Sequence, residues 1–158
     1  MGDGAQANVT GSTFELGSYA GINVTTTLPG ASTLATISRS VVSKSNVGIL
    51  GEVFANSSAV RIYVHDSVME YNNDAGVAAY VSGSSSVADV TLGSSMVVTS
   101  NYCVRALGAG ARAWVSGSTL NNCGNGLYGF SGGVIESAGN NMVRNSGAPT
   151  GVTNVGTQ

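Results

Sequence analysis

Arg61, Asp89 and Arg112 follow one another at intervals of 28 and 23 residues, and Tyr63, Thr91 and Trp114 follow at the same intervals two positions later. If those intervals are one structural repeat, the first trio forms an alternating ladder of cation, anion and cation beside two aromatic rings set two repeats apart. Such a strip offers ring faces to sugar rings, with guanidinium and carboxylate groups to hydrogen-bond hydroxyls. The same residues also fit a solvated ion-pair strip whose aromatics merely cover backbone. Both readings stay open at this level.

Other constellations promise less. His65-Asp66-Ser67 has the composition of a triad, but consecutive strand residues point to opposite faces and cannot align as nucleophile, base and orienter. Asp66, Glu70 and Asp74, beside Asn72 and Asn73, supply the oxygen ligands Ca²⁺ prefers. Within a single repeat they read more simply as solvated turn residues. Gly124-Asn125-Gly126-Leu127-Tyr128-Gly129 matches a dinucleotide-binding glycine pattern without the strand-to-helix context that pattern needs. With one histidine and two separated cysteines, a zinc site has no support. Neither a metal nor a cofactor is expected. Asn8, Asn23 and Asn56 open glycosylation sequons, which a chain this rich in Asn, Ser and Thr produces by chance.

The elements that must position these residues are strands. Only 9% of the 158 residues are charged and 42% are hydrophobic, with 23 glycines, so Ser, Thr, Asn and Gly must cover much of the surface. Strong helix formers are scarce, which favours short strands and tight turns. A net charge of −2 gives no basic footprint for nucleic acid. No run of apolar residues is long enough to span a bilayer, and Met1-Gly2-Asp3-Gly4 has neither the basic nor the apolar region of a signal peptide.

A Ser-x-apolar step recurs at Ser12, Ser40, Ser67, Ser95 and Ser118, with Asn141 as a sixth anchor, at spacings of 28, 27, 28, 23 and 23 residues. On that frame Val9, Ile37, Val64, Leu92 and Val115 form one apolar column three positions before the anchors. Ala7, Ala35, Ile62, Val90 and Ala113 form another, and Phe14, Val42, Met69, Val97, Leu120 and Val143 a third. Ile22, Ile49, Val77, Val104 and Leu127 form a fourth. The parity change between the first column and the anchor requires a bend, placed near Gly93 and Gly117. Asn46, Asn73 and Asn101, six after the anchor, suit left-handed turn positions and a stack of amides. The expectation is an all-β parallel β-helix of about six coils, one domain over residues 1–158, either complete or a segment of a longer solenoid. Cys103 and Cys123 fall at different offsets in their coils, which favours two small semi-buried thiols over a disulfide.

Ile62-Tyr63-Val64-His65-Asp66-Ser67-Val68-Met69 with Asn72-Asn73 and Ala75-Gly76-Val77 resembles the coil repeat of pectin-lyase-like right-handed parallel β-helix proteins. Thr36–Val42 with Asn46–Ile49, and Gly139–Asn145, resemble it as well. The resemblance implies the right-handed solenoid and an extracellular or cell-surface setting, and it leaves activity open, because that group includes lyases, hydrolases, adhesins and fibres. Pectate-lyase-like catalysis implies acidic residues on neighbouring coils. The column three after the anchor reads Glu15, Ser43, Glu70, Val98, Asn121, Arg144, with no adjacent acidic pair. The expected function is therefore a non-catalytic module that binds glycan or another surface through Arg61, Tyr63, Asp89, Arg112 and Trp114, or that serves a structural role. The alternative is a polysaccharide lyase or glycoside hydrolase. Strand edges at the open solenoid ends offer a route to self-association.

Overall fold

A computed structural model describes residues 4–155; Met1, Gly2 and Asp3 of the N-terminal reading lie outside the described residues. Every element among them is a strand. The first coil holds β1 (Gln6–Thr10), β2 (Thr13–Glu15) and β3 (Ala20–Thr26), and the second β4 (Ser32–Ser38), β5 (Val41–Ser43) and β6 (Val47–Val53). The third holds β7 (Ala59–His65), β8 (Val68–Glu70) and β9 (Ala75–Val81), and the fourth β10 (Val87–Gly93), β11 (Met96–Val98) and β12 (Tyr102–Leu107). The fifth holds β13 (Ala111–Ser116), β14 (Thr119–Asn121) and β15 (Asn125–Phe130). Beyond it lie only β16 (Val134–Ser137), β17 (Met142–Arg144) and β18 (Val152–Asn154). The solenoid thus closes five full turns rather than six, since the last anchor, Asn141, belongs to a turn whose third side is reduced to two isolated bridges.

Corresponding strands stack in parallel into three sheets of seven, six and five strands. Val9, Ile37, Val64, Leu92 and Val115 are successive register partners, as the repeat requires. The third column runs from Phe14 to Val143 and the fourth from Ile22 to Leu127, each in unbroken register. In the middle coils these side chains are sealed: Ile37, Met69, Val77 and Leu120 have no exposed surface. At the ends the columns open, with Val9 and Phe14 half-buried and Val143 43% exposed. Among the described residues no helix is long and apolar enough to cross a membrane.

The bends are made differently from the sequence expectation. The residue directly before each serine anchor is left-handed: Gly11, Arg39, Asp66, Ser94 and Gly117 have φ between 47° and 59°. Gly117 is therefore a corner, but Gly93 ends β10 and its neighbour Ser94 makes the turn. A second left-handed series lies four after the anchor, at Leu16, Lys44, Tyr71, Thr99, Asn122 and Asn145, not at Asn46, Asn73 and Asn101. Nor do those three amides bond one another among the described residues; the buried amide is Asn72, which accepts from Ser45 N–H at 3.1 Å and donates to the Val42 carbonyl at 3.2 Å. Positive φ is costly for residues with side chains, and hydroxyls behind the corners offset that cost. Ser12 N–H donates to Ser40 Oγ, Ser40 to Ser67, Ser67 to Ser95 and Ser95 to Ser118, at 3.2–3.3 Å, and Ser118 N–H donates to Asn141 Oδ1 at 2.9 Å. Each of these serine hydroxyls in turn donates to the carbonyl two residues back.

The cysteines correct the expectation of free thiols: Cys103 and Cys123 are joined, with Cα atoms 5.6 Å apart. Their offsets differ because Cys123 lies within its corner while Cys103 lies past the equivalent corner, on β12. Cys123 directly follows the left-handed Asn122, and the tight turn folds it over Cys103, near the start of β12 in the coil below. Both side chains are buried.

Candidate ligand-binding face

Strands β4, β7, β10, β13 and β16 belong to the seven-stranded sheet, and alternation sends Ala35, Ile62, Val90, Ala113 and Ile135 inward while their neighbours face out. Leu34, Arg61, Asp89 and Arg112 are register partners in one outward column. Thr36, Tyr63, Thr91, Trp114 and Glu136 form the next. All five residues singled out in the sequence thus lie on one face, where Arg61, Tyr63, Asp89, Arg112, Trp114 and Glu136 line a shallow groove of about 210 Å³. Arg61 and Tyr63 also border a second hollow reaching toward Gln6 and Leu34, and those two border a third beside Asn8 and Thr36. The depressions form a furrow along the solenoid axis.

Within it Tyr63 is 46% exposed and Trp114 38%. They are separated by the Thr91 rung, which sets the two residues roughly 10 Å apart along the axis at the usual strand spacing. The salt ladder is only half formed. Arg61 Nε lies 3.8 Å from Asp89 Oδ2, while among the described residues Arg112 reaches no carboxylate at ion-pair distance, so its guanidinium is free to meet a ligand. Partial burial pushes the Asp89 carboxyl above its ordinary value; Arg112 and Arg61 pull it down, and Glu136 pushes it up.

Glu136 was missed in the sequence. Counting back from Asn141 puts Ser137 in the Trp114 column, whereas the register pairs Trp114 with Glu136; aligning the buried Ile135 with Ala113 would have found it. The other constellations do not assemble. His65 Nδ1 contacts Asp66 Oδ2 at 3.1 Å with both side chains exposed, and Ser67 Oγ is spent on the His65 carbonyl. Asp74 is held by Arg105 at 2.7 and 2.9 Å, while Glu70 stands on β8 between Ser43 and Val98. The glycine run Gly124–Gly129 spans a corner and β15, with no helix after it. Asn23 donates to Glu52, and Asn56 accepts from Ser84. No family model matches this chain, and no curated protein or solved structure matches it either.

Proposed function

We propose that this chain is a non-catalytic solenoid module, akin to pectin-lyase-like β-helices, that binds an extended polysaccharide along the furrow of its seven-stranded sheet. The supporting observation is the exposed pair Tyr63 and Trp114, in one column of that furrow and flanked by Arg61, Asp89 and an unpaired Arg112. A flexible polymer is best held by rigid aromatic platforms spaced along its length, with charged groups between them to orient its hydroxyls. Trp114→Ala should cut retention of binding polysaccharides about tenfold or more, as loss of a central aromatic anchor does, and leave the melting midpoint nearly unchanged. Loss of stability with intact retention would make Trp114 a cover for backbone and remove the assignment.

Cleavage is the alternative, favoured by a single observation. Asp89 holds its proton more tightly than usual, and Glu136 shares its groove. Two carboxylates in unlike environments are the raw material of glycoside hydrolysis. The non-catalytic reading expects neither new reducing ends nor unsaturated products when pure protein is incubated with pectins, alginates and neutral glycans, with or without Ca²⁺. Appearance of either transfers the assignment to an enzyme.

A further inference from the structure

The five-stranded sheet carries a second surface that the polysaccharide reading does not use. Along its outer side Glu52, Tyr80, Leu107 and Phe130 are register partners on consecutive coils, and the Phe54 ring packs on Tyr80 with centroids 5.9 Å apart. Phe54 is 47% exposed and Phe130 54%. Tyr128 lies between Tyr102, at 4.7 Å, and Phe130, at 5.9 Å, and Arg105 sits 5.4 Å over the Tyr102 ring. These rings are stacked on one another and so are poor platforms for sugars. Their edges and the two phenylalanines make an apolar ridge of the composition found at protein interfaces.

The charges on this face are already engaged. Arg105 is held two-pronged by Asp74, and Glu52, only 3% exposed, accepts from Tyr19 and Asn23 at 2.6 Å each. The bond to Glu52 pushes the Tyr19 hydroxyl up to about 12, so it remains a donor at any physiological pH.

We propose that this face, with Tyr80, Leu107 and Phe130 in one column and Phe54 packed beside Tyr80, is where a second copy of the chain docks about a two-fold axis. The order of residues carries the choice of partner. A two-fold axis passing between the Tyr80 and Leu107 rungs, along the strands, lays Leu107 over the second copy's Tyr80, and it brings Phe130 over the second copy's Glu52, with Phe54 two residues past it, so the two phenylalanines lie side by side at both ends and Tyr meets Leu at the centre. An isologous contact demands such self-complementarity. A face whose charges are paired or sealed also meets itself without like-charge repulsion. The four rungs from β6 to β15, about 4.8 Å apart and crossed by strands of about 3.3 Å per residue, give a patch roughly 15 by 20 Å. That is below the usual size of stable specific interfaces and corresponds to a weak, reversible dimer.

Sedimentation equilibrium over micromolar to sub-millimolar protein tests this. Wild type should show monomer–dimer exchange, and Phe130→Asp and Phe54→Asp should each weaken it about tenfold or more with unchanged circular dichroism. Trp114→Ala should leave the dimer intact, which separates this proposal from the polysaccharide furrow. Because an aspartate variant can fail to fold, Phe54→Ser and Phe130→Ser serve as milder equivalents. Wild type that stays monomeric throughout overturns the proposal, as does a dimer that survives substitution at both phenylalanines, which would place association at the solenoid ends. Loss of polysaccharide retention by Phe130→Asp from a wild type that never dimerises would make the face a sugar site and equally overturn it.

Discussion

At the scale of single residues, Asp89 is the side chain whose placement conflicts with stability. It is 37% exposed at the side chain, with one arginine at 3.8 Å, and its carboxyl is raised chiefly because burial strips water from the charged form. The sign of the linkage follows. A carboxyl whose folded value lies above its unfolded one binds more protons in the folded state within that window, so stability falls as pH rises through it. Asp89→Asn should therefore melt at the same temperature as wild type, or higher, at neutral pH, and lose the part of wild type's decline that begins just above the ordinary carboxylate range of about 4. A variant less stable than wild type at neutral pH would mean that the arginines, not burial, govern Asp89. This residue, with Arg61, Tyr63, Arg112 and Trp114, was legible in the sequence because parallel stacking turns a sequence interval into a spatial column. Glu136 escaped because the incomplete turn shifts the count by one position. Tyr102, Arg105 and Tyr128 escaped because no aromatic or charged residue recurs in their columns: Tyr102 is in register with Ala75 and Asn125, and Arg105 with Ala78 and Tyr128.

At the scale of elements, the repeat's apolar columns predicted strands and register, whereas the corners depended on polar bonding that the spacing does not reveal. Each serine anchor from Ser40 to Ser118 satisfies the N–H of the anchor in the coil before it and a carbonyl of its own coil, at buried or part-buried positions. Ser67 Oγ, on a residue only 1% exposed, accepts from Ser40 N–H at 3.2 Å and donates to the His65 carbonyl at 2.8 Å. Ser67→Ala orphans a buried N–H and should cost about 1–3 kcal/mol. Ser100 occupies the parallel row of Ser45 and Asn72, one residue past the left-handed Thr99, yet its Oγ is buried without a protein partner. Ser100→Ala removes a group that gains nothing there and should be neutral or stabilising. Urea midpoints of the two variants check both statements, and equal losses would show that the row does not work through hydrogen bonds. Asn46, Asn73 and Asn101 illustrate why the corners misled: an amide suits a left-handed turn, but here Lys44, Tyr71 and Thr99 take that conformation, because the ladder behind them satisfies the backbone whatever side chain projects outward.

At the scale of the whole molecule, a solenoid is held chiefly by contacts between adjacent coils, so its stability is approximately a sum along one axis and its ends loosen first. The exposed Val143 and the reduced final turn mark the C-terminal end as the weaker boundary. The disulfide sits next to it, tying the fourth coil to the fifth across a separation of 20 residues. Closing a loop of that size removes enough entropy from the unfolded chain to stabilise by about 3 kcal/mol. In a globular domain that gain would be shared by every element. In a near one-dimensional stack it should fall mostly on the coils the bond joins and on those beyond it. Replacing both Cys103 and Cys123 with Ser should therefore speed amide hydrogen exchange in β12, β15 and β17 by about a hundredfold, the rate equivalent of that energy, while β6 and β9 change much less. Uniform acceleration along all coils would show that the five turns unfold as one cooperative unit.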